Sequence, residues 1–202
     1  MPRQRLRSTT RHHYAGQFLI WLGLGTSVAA VAGAQGSDGD SRSATDVTST
    51  EIAKVYEALG DGVDLQAKVV DIGRETNVAV GTLQRGAMKT EPGGPVRGIV
   101  HHDVTEIYYV LEGSGILMTG GQVQAGREWP EDSSAVTELV GPSMSASTST
   151  GESRTIAAGD IVVIPAGVFH GFQEITSSIR YLSIRVDPEQ VLPAGYLHPS
   201  IR

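Results

Sequence analysis

Hydrophobic positions along this chain change their spacing twice. Over residues 14–32 they run almost unbroken, centred on Phe18, Leu19, Ile20, Trp21 and Leu22. Ile52, Val55, Tyr56 and Leu59 then recur at helical spacing, which predicts a core-facing helix. Thr48-Ser49-Thr50-Glu51 ahead of it fits a capping box, and Gly60 can end it in a left-handed conformation. From Val63 the period falls to two. Leu65, Ala67 and Val69 alternate with Asp64, Gln66 and Lys68, and Val78 and Val80 keep the same rhythm, as half-buried strands do.

Further strands are predicted over residues 99–102 and 106–111. Gly113-Ser114-Gly115 is expected to turn the chain into Ile116, Leu117 and Met118, and Gly120-Gly121 to turn it again. Residues 88–98 and 124–134 read as loops, and Trp129 as packing its own loop. Residues 136–140 and 143–147 are weaker strand candidates. Residues 154–157, 161–164, 168–174 and 179–186 complete the set. About ten short strands with glycine turns predict an all-β sandwich or barrel, of which the jelly roll is a common form. No internal repeat is visible, so one barrel is expected, with a short N-terminal helix packed on it. The organisation read from the chain is residues 47–62 for the helix, 63–190 for the barrel and 191–202 for a C-terminal tail.

Charge changes the picture at the N-terminus. Arg3, Arg5, Arg7 and Arg11 precede the apolar run with no acid among them, and Ala32-Gly33-Ala34 closes it with small residues. Residues 1–34 therefore read as a secretory signal peptide cleaved after Ala34, with an uncleaved membrane anchor as the alternative, and residues 35–46, rich in Gly, Ser, Asp and Thr, as a flexible linker. The expected destination is the periplasm or the outside of the cell, with no stable membrane association after cleavage. The whole chain sets 16 Lys and Arg against 22 Asp and Glu, a formal charge of −6. Residues 1–34 take four arginines and no acid with them, which leaves 12 against 22, or −10. An acidic domain repels phosphate backbones, so nucleic acid is excluded as a natural partner. There is no cysteine, so a metal here would sit on His, Glu or Asp.

Beyond residue 34 there are four histidines, His101, His102, His170 and His198. His198 lies between prolines and reads as a surface residue. Glu106, Tyr108 and Val110 share one strand face, and His170, Phe172 and Glu174 share another. If Glu106 and His170 face the barrel interior, a polar pair is buried among apolar residues. A divalent cation is a natural compensation for a carboxylate so placed.

These residues fall into two runs that resemble the paired motifs of the cupin superfamily. The first motif is a glycine, five residues, His-x-His, three or four residues, Glu, six residues and Gly. Glu106 and Gly113 fit it, and either His101 or His102 can stand as its second histidine. Adjacent strand residues point to opposite faces, so the two are not equal ligands, and His102 is the reading preferred. The motif's first histidine has no counterpart, since Ile99 or Val100 stands there. The second motif is matched by Gly159, Pro165, Gly167 and His170, with Glu174 where asparagine is usual.

The resemblance implies a cupin-type jelly-roll barrel with a divalent metal ion, Fe, Mn or Zn, held by His101 or His102 with Glu106 and His170. It implies pairing of barrels into a homodimer. A set of two histidines and one carboxylate resembles the facial triad of Fe(II) oxygenases, and also suits a catalytic zinc. Tyr108 and Glu174 are candidate catalytic groups beside it. The function expected is a metal-dependent oxidoreductase of dioxygenase type acting on a small organic molecule. The alternative is a barrel that captures a sugar or carboxylate without transforming it, with or without metal.

Overall fold

The structure is a computed structural model, and it describes residues 43–202. The expected signal peptide, and the linker up to residue 42, lie outside the described residues. Among the described residues no helix is long and apolar enough to cross a membrane. Helix α1 (Ser49–Leu59) starts where the capping pattern places it. The Thr48 hydroxyl accepts from the Glu51 amide at 3.2 Å, and the Glu51 carboxylate accepts from the Thr48 amide at 2.8 Å. Two orphan donors are thereby satisfied. The same Glu51 pairs with Lys68 Nζ at 2.8 Å, and Tyr56 donates to the carbonyls of Leu83 and Tyr181. These contacts fasten α1 to the strands behind it.

Nine strands come after α1 among the described residues: β1 (Asp64–Gly73), β2 (Thr76–Lys89), β3 (Val96–His101), β4 (Thr105–Thr119), β5 (Ala125–Glu128), β6 (Ser143–Thr148), β7 (Glu152–Ala157), β8 (Ile161–Ile164) and β9 (His170–Asp187). Every pairing is antiparallel. The order runs β1-β2-β9-β3-β6-β5, while β4 pairs with β7, β8 and β9. Strand β9 is thus shared by three neighbours, β2, β3 and β4. The result is an all-β jelly roll. Its interior is filled by alternate residues such as Tyr108, Val110, Phe172, Ile179 and Tyr181. Residues 191–202 dock rather than trail: Leu192 is fully buried and His198 donates its amide to the Ala67 carbonyl on β1.

Three expectations about elements are corrected. Residues 113–115 do not turn; they continue β4. Gly113 holds φ +75°, and the Ser178 carbonyl occupies the space a side chain would take. The register shifts there, and β4 passes from pairing with β8 to pairing with β7. Residues 168–174 and 179–186 are not separate strands, because β9 carries through them with irregular register. Residues 136–140 are helical, within a wide turn spanning Ala135–Val140. Val136, Leu139 and Val140 are spaced three and four apart, which suits a helical face better than a strand.

One close approach fixes how β3 lies against β9. Gly98 on β3 packs on the start of β9. A Cβ added there would collide with the His170 carbonyl and come within 2.8 Å of the Phe169 ring. A Cβ on Gly171 would lie 2.9 Å from the Gly98 Cα. Overpacking so rigid a contact costs about 1–3 kcal/mol. Gly98→Ala is expected to lose that much unfolding free energy in urea. Gly86→Ala, where a Cβ would meet nothing within 4 Å, should leave it unchanged or slightly higher.

Candidate metal centre

Three strand positions bring His101, Glu106 and His170 together. His101 ends β3, Glu106 lies near the start of β4, and His170 opens β9. All three are buried, and one ligand atom from each lies within 4.8 Å of the other two. His101 Nε2 is 3.2 Å from Glu106 Oε2, and His170 Nε2 is 3.1 Å from that same oxygen.

The partners on the far side of each ring decide which nitrogen carries the proton. Ser143 sits opposite His101 in the β3–β6 register, and its hydroxyl donates to the Gly141 carbonyl at 2.8 Å. That hydroxyl is therefore an acceptor toward His101 Nδ1, 2.8 Å away. His170 Nδ1 faces the Val168 carbonyl at 3.1 Å, which can only accept. Both rings thus hold their proton on Nδ1 and present a bare lone pair on Nε2. The Nε2 contacts to Glu106 lack hydrogen-bond geometry, and neither Glu106 Oε2 nor His170 Nε2 has a hydrogen-bond partner. Sharing a proton across these contacts would need an imidazolium, and burial pushes His101 down, away from that form, against the pull of Glu106.

The carboxylate is fixed from its other oxygen. Glu106 Oε1 accepts from Ser183 Oγ at 2.6 Å and from Arg185 Nε at 3.1 Å. Arg185 is fully buried, and its remaining nitrogens bond Gln66 Oε1 at 2.9 Å and Asp64 Oδ2 at 2.5 Å. Burial alone would raise the Glu106 carboxyl; the Arg185 charge beside it pulls the other way and holds the carboxyl below its ordinary range. Glu106 is an anion with one oxygen tied down and the other aimed at two nitrogen lone pairs.

Such a set fits a divalent cation. Two ligands on bonds of about 2.1 Å lie roughly 3.0–3.4 Å apart at right or tetrahedral angles, and the two nitrogen-to-oxygen separations fall in that range. Metal-bound histidines usually donate the other ring N–H to an outer partner, as both rings do here. Three convergent acceptors with no donor among them are repulsive until a positive charge joins them.

Other residues named from the sequence lie elsewhere or in the wall. His102 is not in the cluster, which corrects the preference for it. Its backbone continues from His101 with the opposite facing, and its Nε2 bonds Glu128 Oε2 at 2.8 Å on the surface. Glu174 is also outside. The pairs Leu117↔Phe172 and Ile116↔Glu174 leave Gln173 as an extra residue, so the strand's facing flips after Phe172. Glu174 instead pairs with Lys89 at 2.9 Å. Tyr108 is in the wall beside the cluster, edge-on to His170 with ring centroids 5.9 Å apart. Burial and the neighbouring Glu106 charge push its phenol well up, so it keeps its proton. His198 caps the last helical turn, accepting from the Ser200 amide.

Sequence reading missed Arg185, Ser183, Ser143, Gln66 and Asp64. Arg185 had a signal: a charged residue in phase with Tyr181 and Ser183 on a central strand must face the interior. Trp129 was also misread. It lines the cavities beside the cluster, with its indole N–H bonded to Ser145 Oγ at 2.6 Å.

A family model described as Cupin matches residues 78–195. No curated protein matches the chain in sequence. Similar solved structures include BH2720 from Bacillus halodurans, at 15% identity over 79% of this chain and 92% of that one, with a TM-score of 0.41. Another is an uncharacterised double-stranded β-helix protein from Klebsiella pneumoniae, at 17% identity, 65% and 82% coverage and a TM-score of 0.33. The DMSP lyase DddQ from Ruegeria pomeroyi is a third, at 16% identity and a TM-score of 0.32; the match covers 54% of this chain and 37% of that chain. These likenesses are distant and say nothing of activity.

Removing Arg185 would leave the buried Glu106 carboxylate and the part-buried Asp64 carboxylate without their partner. Arg185→Met is expected to cost about 3–5 kcal/mol, read by urea unfolding monitored by circular dichroism. Asp103→Asn, in the connection between β3 and β4, should stay within about 0.5 kcal/mol of the parent.

Proposed function

The chain belongs to the cupin family, and we propose that it is a metal-dependent member acting on a small organic molecule as an oxidoreductase of dioxygenase type. The observation that carries the reading is the convergence of His101 Nε2, His170 Nε2 and Glu106 Oε2 on one buried space with no proton donor among them. These three residues would hold Fe, Mn or Zn. Two histidines and one carboxylate leave coordination positions free, and a redox-active ion held there supplies both Lewis acidity and electrons for O₂ chemistry.

The chain's own groups supply the rest. Ser143 and the Val168 carbonyl keep the two rings in the tautomer that offers Nε2. Arg185 and Ser183 hold Glu106 in one orientation, so little reorganisation is needed when a cation or substrate arrives. Tyr108 holds a proton on its Oη at the cavity wall and is the group placed to donate a hydrogen bond to bound substrate. The apolar walls and the Trp129 side chain restrict water.

Two further readings belong to the proposal. Residues 1–34 carry the layout of an export signal, so the barrel works outside the cytoplasm. The barrel pairs with a second copy through the outer face of β8 and β4. There Ile161 is 66% and Val163 60% exposed, and Ile161 lies opposite Tyr109 in the ladder. Exposed apolar residues in neighbouring rows are what a homodimer face requires.

Elemental analysis of the protein purified without chelator is expected to find close to one divalent ion per chain. His101→Ala, Glu106→Gln and His170→Ala should each abolish or strongly reduce that content, whereas His102→Ala and Glu174→Gln should retain it. A metal-free protein that cannot be reconstituted with Fe, Mn or Zn ends the proposal. For the dimer, sedimentation of an Ile161→Glu, Val163→Glu double variant should show monomer where the parent shows dimer. A strictly monomeric parent rules the dimer out.

A further inference from the structure

Two cavities meet at the cluster. The smaller, ≈ 160 Å³, reaches His101, Glu106 and His170. The larger, ≈ 270 Å³, extends from His170 past Phe172, Leu117 and Met88 to Arg97. Five residues line both: Arg85, Ile99, Tyr108, Trp129 and His170. The larger space is slightly below the range of drug-sized pockets, so it suits one small molecule.

The charges around these spaces are uneven. The acids lining them are Asp64 and Glu106, both on the smaller cavity, and both are bonded by Arg185. The larger cavity has no acidic lining residue and two arginines. Arg97 stands exposed at its rim without an ion pair among the described residues. Arg85 is half-buried, and its Nε donates to the Tyr181 hydroxyl at 3.1 Å. That is its one hydrogen bond among the described residues, and neither terminal nitrogen has a partner among them. A half-buried guanidinium facing a cavity with its fork free is matched by a carboxylate, which can take two parallel N–H bonds. Three arginines against two carboxylates leave the lining at +1 before any divalent ion is counted, so the space favours an anion.

We propose that Arg85 binds the carboxylate of a small organic acid whose apolar part packs on Tyr108, Phe172 and Trp129 and whose reacting end points toward His170. This rests on the reading that the cluster is the reaction centre and adds the chemical class of its substrate. Arg85, which lines both cavities as His170 does, fixes the acid where they join, and the aromatic walls pack on the remainder. A neutral analogue forfeits the charge-assisted bonds and leaves the arginine fork unpaired.

The test is calorimetric titration with acid and amide pairs: propionate and propionamide, benzoate and benzamide, phenylacetate and phenylacetamide. Each pair is run on zinc-loaded and chelator-treated protein, with metal content measured alongside. At least one acid is expected to bind ten-fold or more tightly than its amide in both forms. Arg85→Gln should weaken that acid about 10- to 100-fold without changing metal content, and Arg85→Lys should lose less. Equal binding of every acid and its amide overturns the proposal. So does an acid preference that survives Arg85→Gln, because the anion would then be held by another group, the metal or Arg97. Should Arg85→Gln fail to fold, the acid-over-amide comparison on the parent and Arg85→Lys still decide. A protein that takes up no metal yet prefers acids through Arg85 would refute the metal-enzyme reading and leave this one standing.

Discussion

Glu106 keeps its negative charge while almost wholly shielded from solvent, and much of the surrounding architecture is a response to that. A desolvated carboxylate costs several kcal/mol unless its lone pairs are met. One oxygen is met by Ser183 and Arg185, and Arg185 in turn needs Asp64 and Gln66 to fill its own donors. Strands β1, β4 and β9 are therefore bound by a charged network as well as by their backbone ladders. The second oxygen meets only lone pairs. That asymmetry, satisfied on one side and unsatisfied on the other, separates this cluster from an ordinary buried ion pair.

Much of the barrel was legible in the chain because a period-two pattern fixes which side chains face inward. Glu106, Tyr108 and Val110 do share the inner face, as alternation requires. Alternation misleads wherever a strand gains a residue. The extra residue at Gln173 turned Glu174 out of the interior, and no spacing rule in the sequence marks it. Gly113 read as a turn residue because glycine suits turns and bulges alike; the Ser178 carbonyl, distant in sequence, decides between them. Of two adjacent histidines only one could face inward, but which one depends on where β3 ends and on Ser143 standing opposite His101.

Long-range partners were the harder part. Arg185 lies 79 residues from Glu106, and Asp64 lies 121 from Arg185. A motif weighs residues near the ligands in sequence, whereas the groups that orient those ligands come from wherever the sheet brings a strand alongside. Trp129 is the same case. In a polar loop it reads as local packing, and only the strand pairing of β5 with β6 carries it over the cavity.

The three ligand residues stand on strands β3, β4 and β9, and β9 begins 64 residues after Glu106. An ion gripped by all three would act as a removable cross-link across that separation. Its affinity would count toward folding by mass action, since the unfolded chain has no such site to offer. Shelf life, resistance to proteases and steady-state abundance would then track the supply of the ion in the compartment where the protein resides. Depletion would be felt first as loosening where β3 meets β9, the seam at which Gly98 and Gly171 already bring two backbones close together.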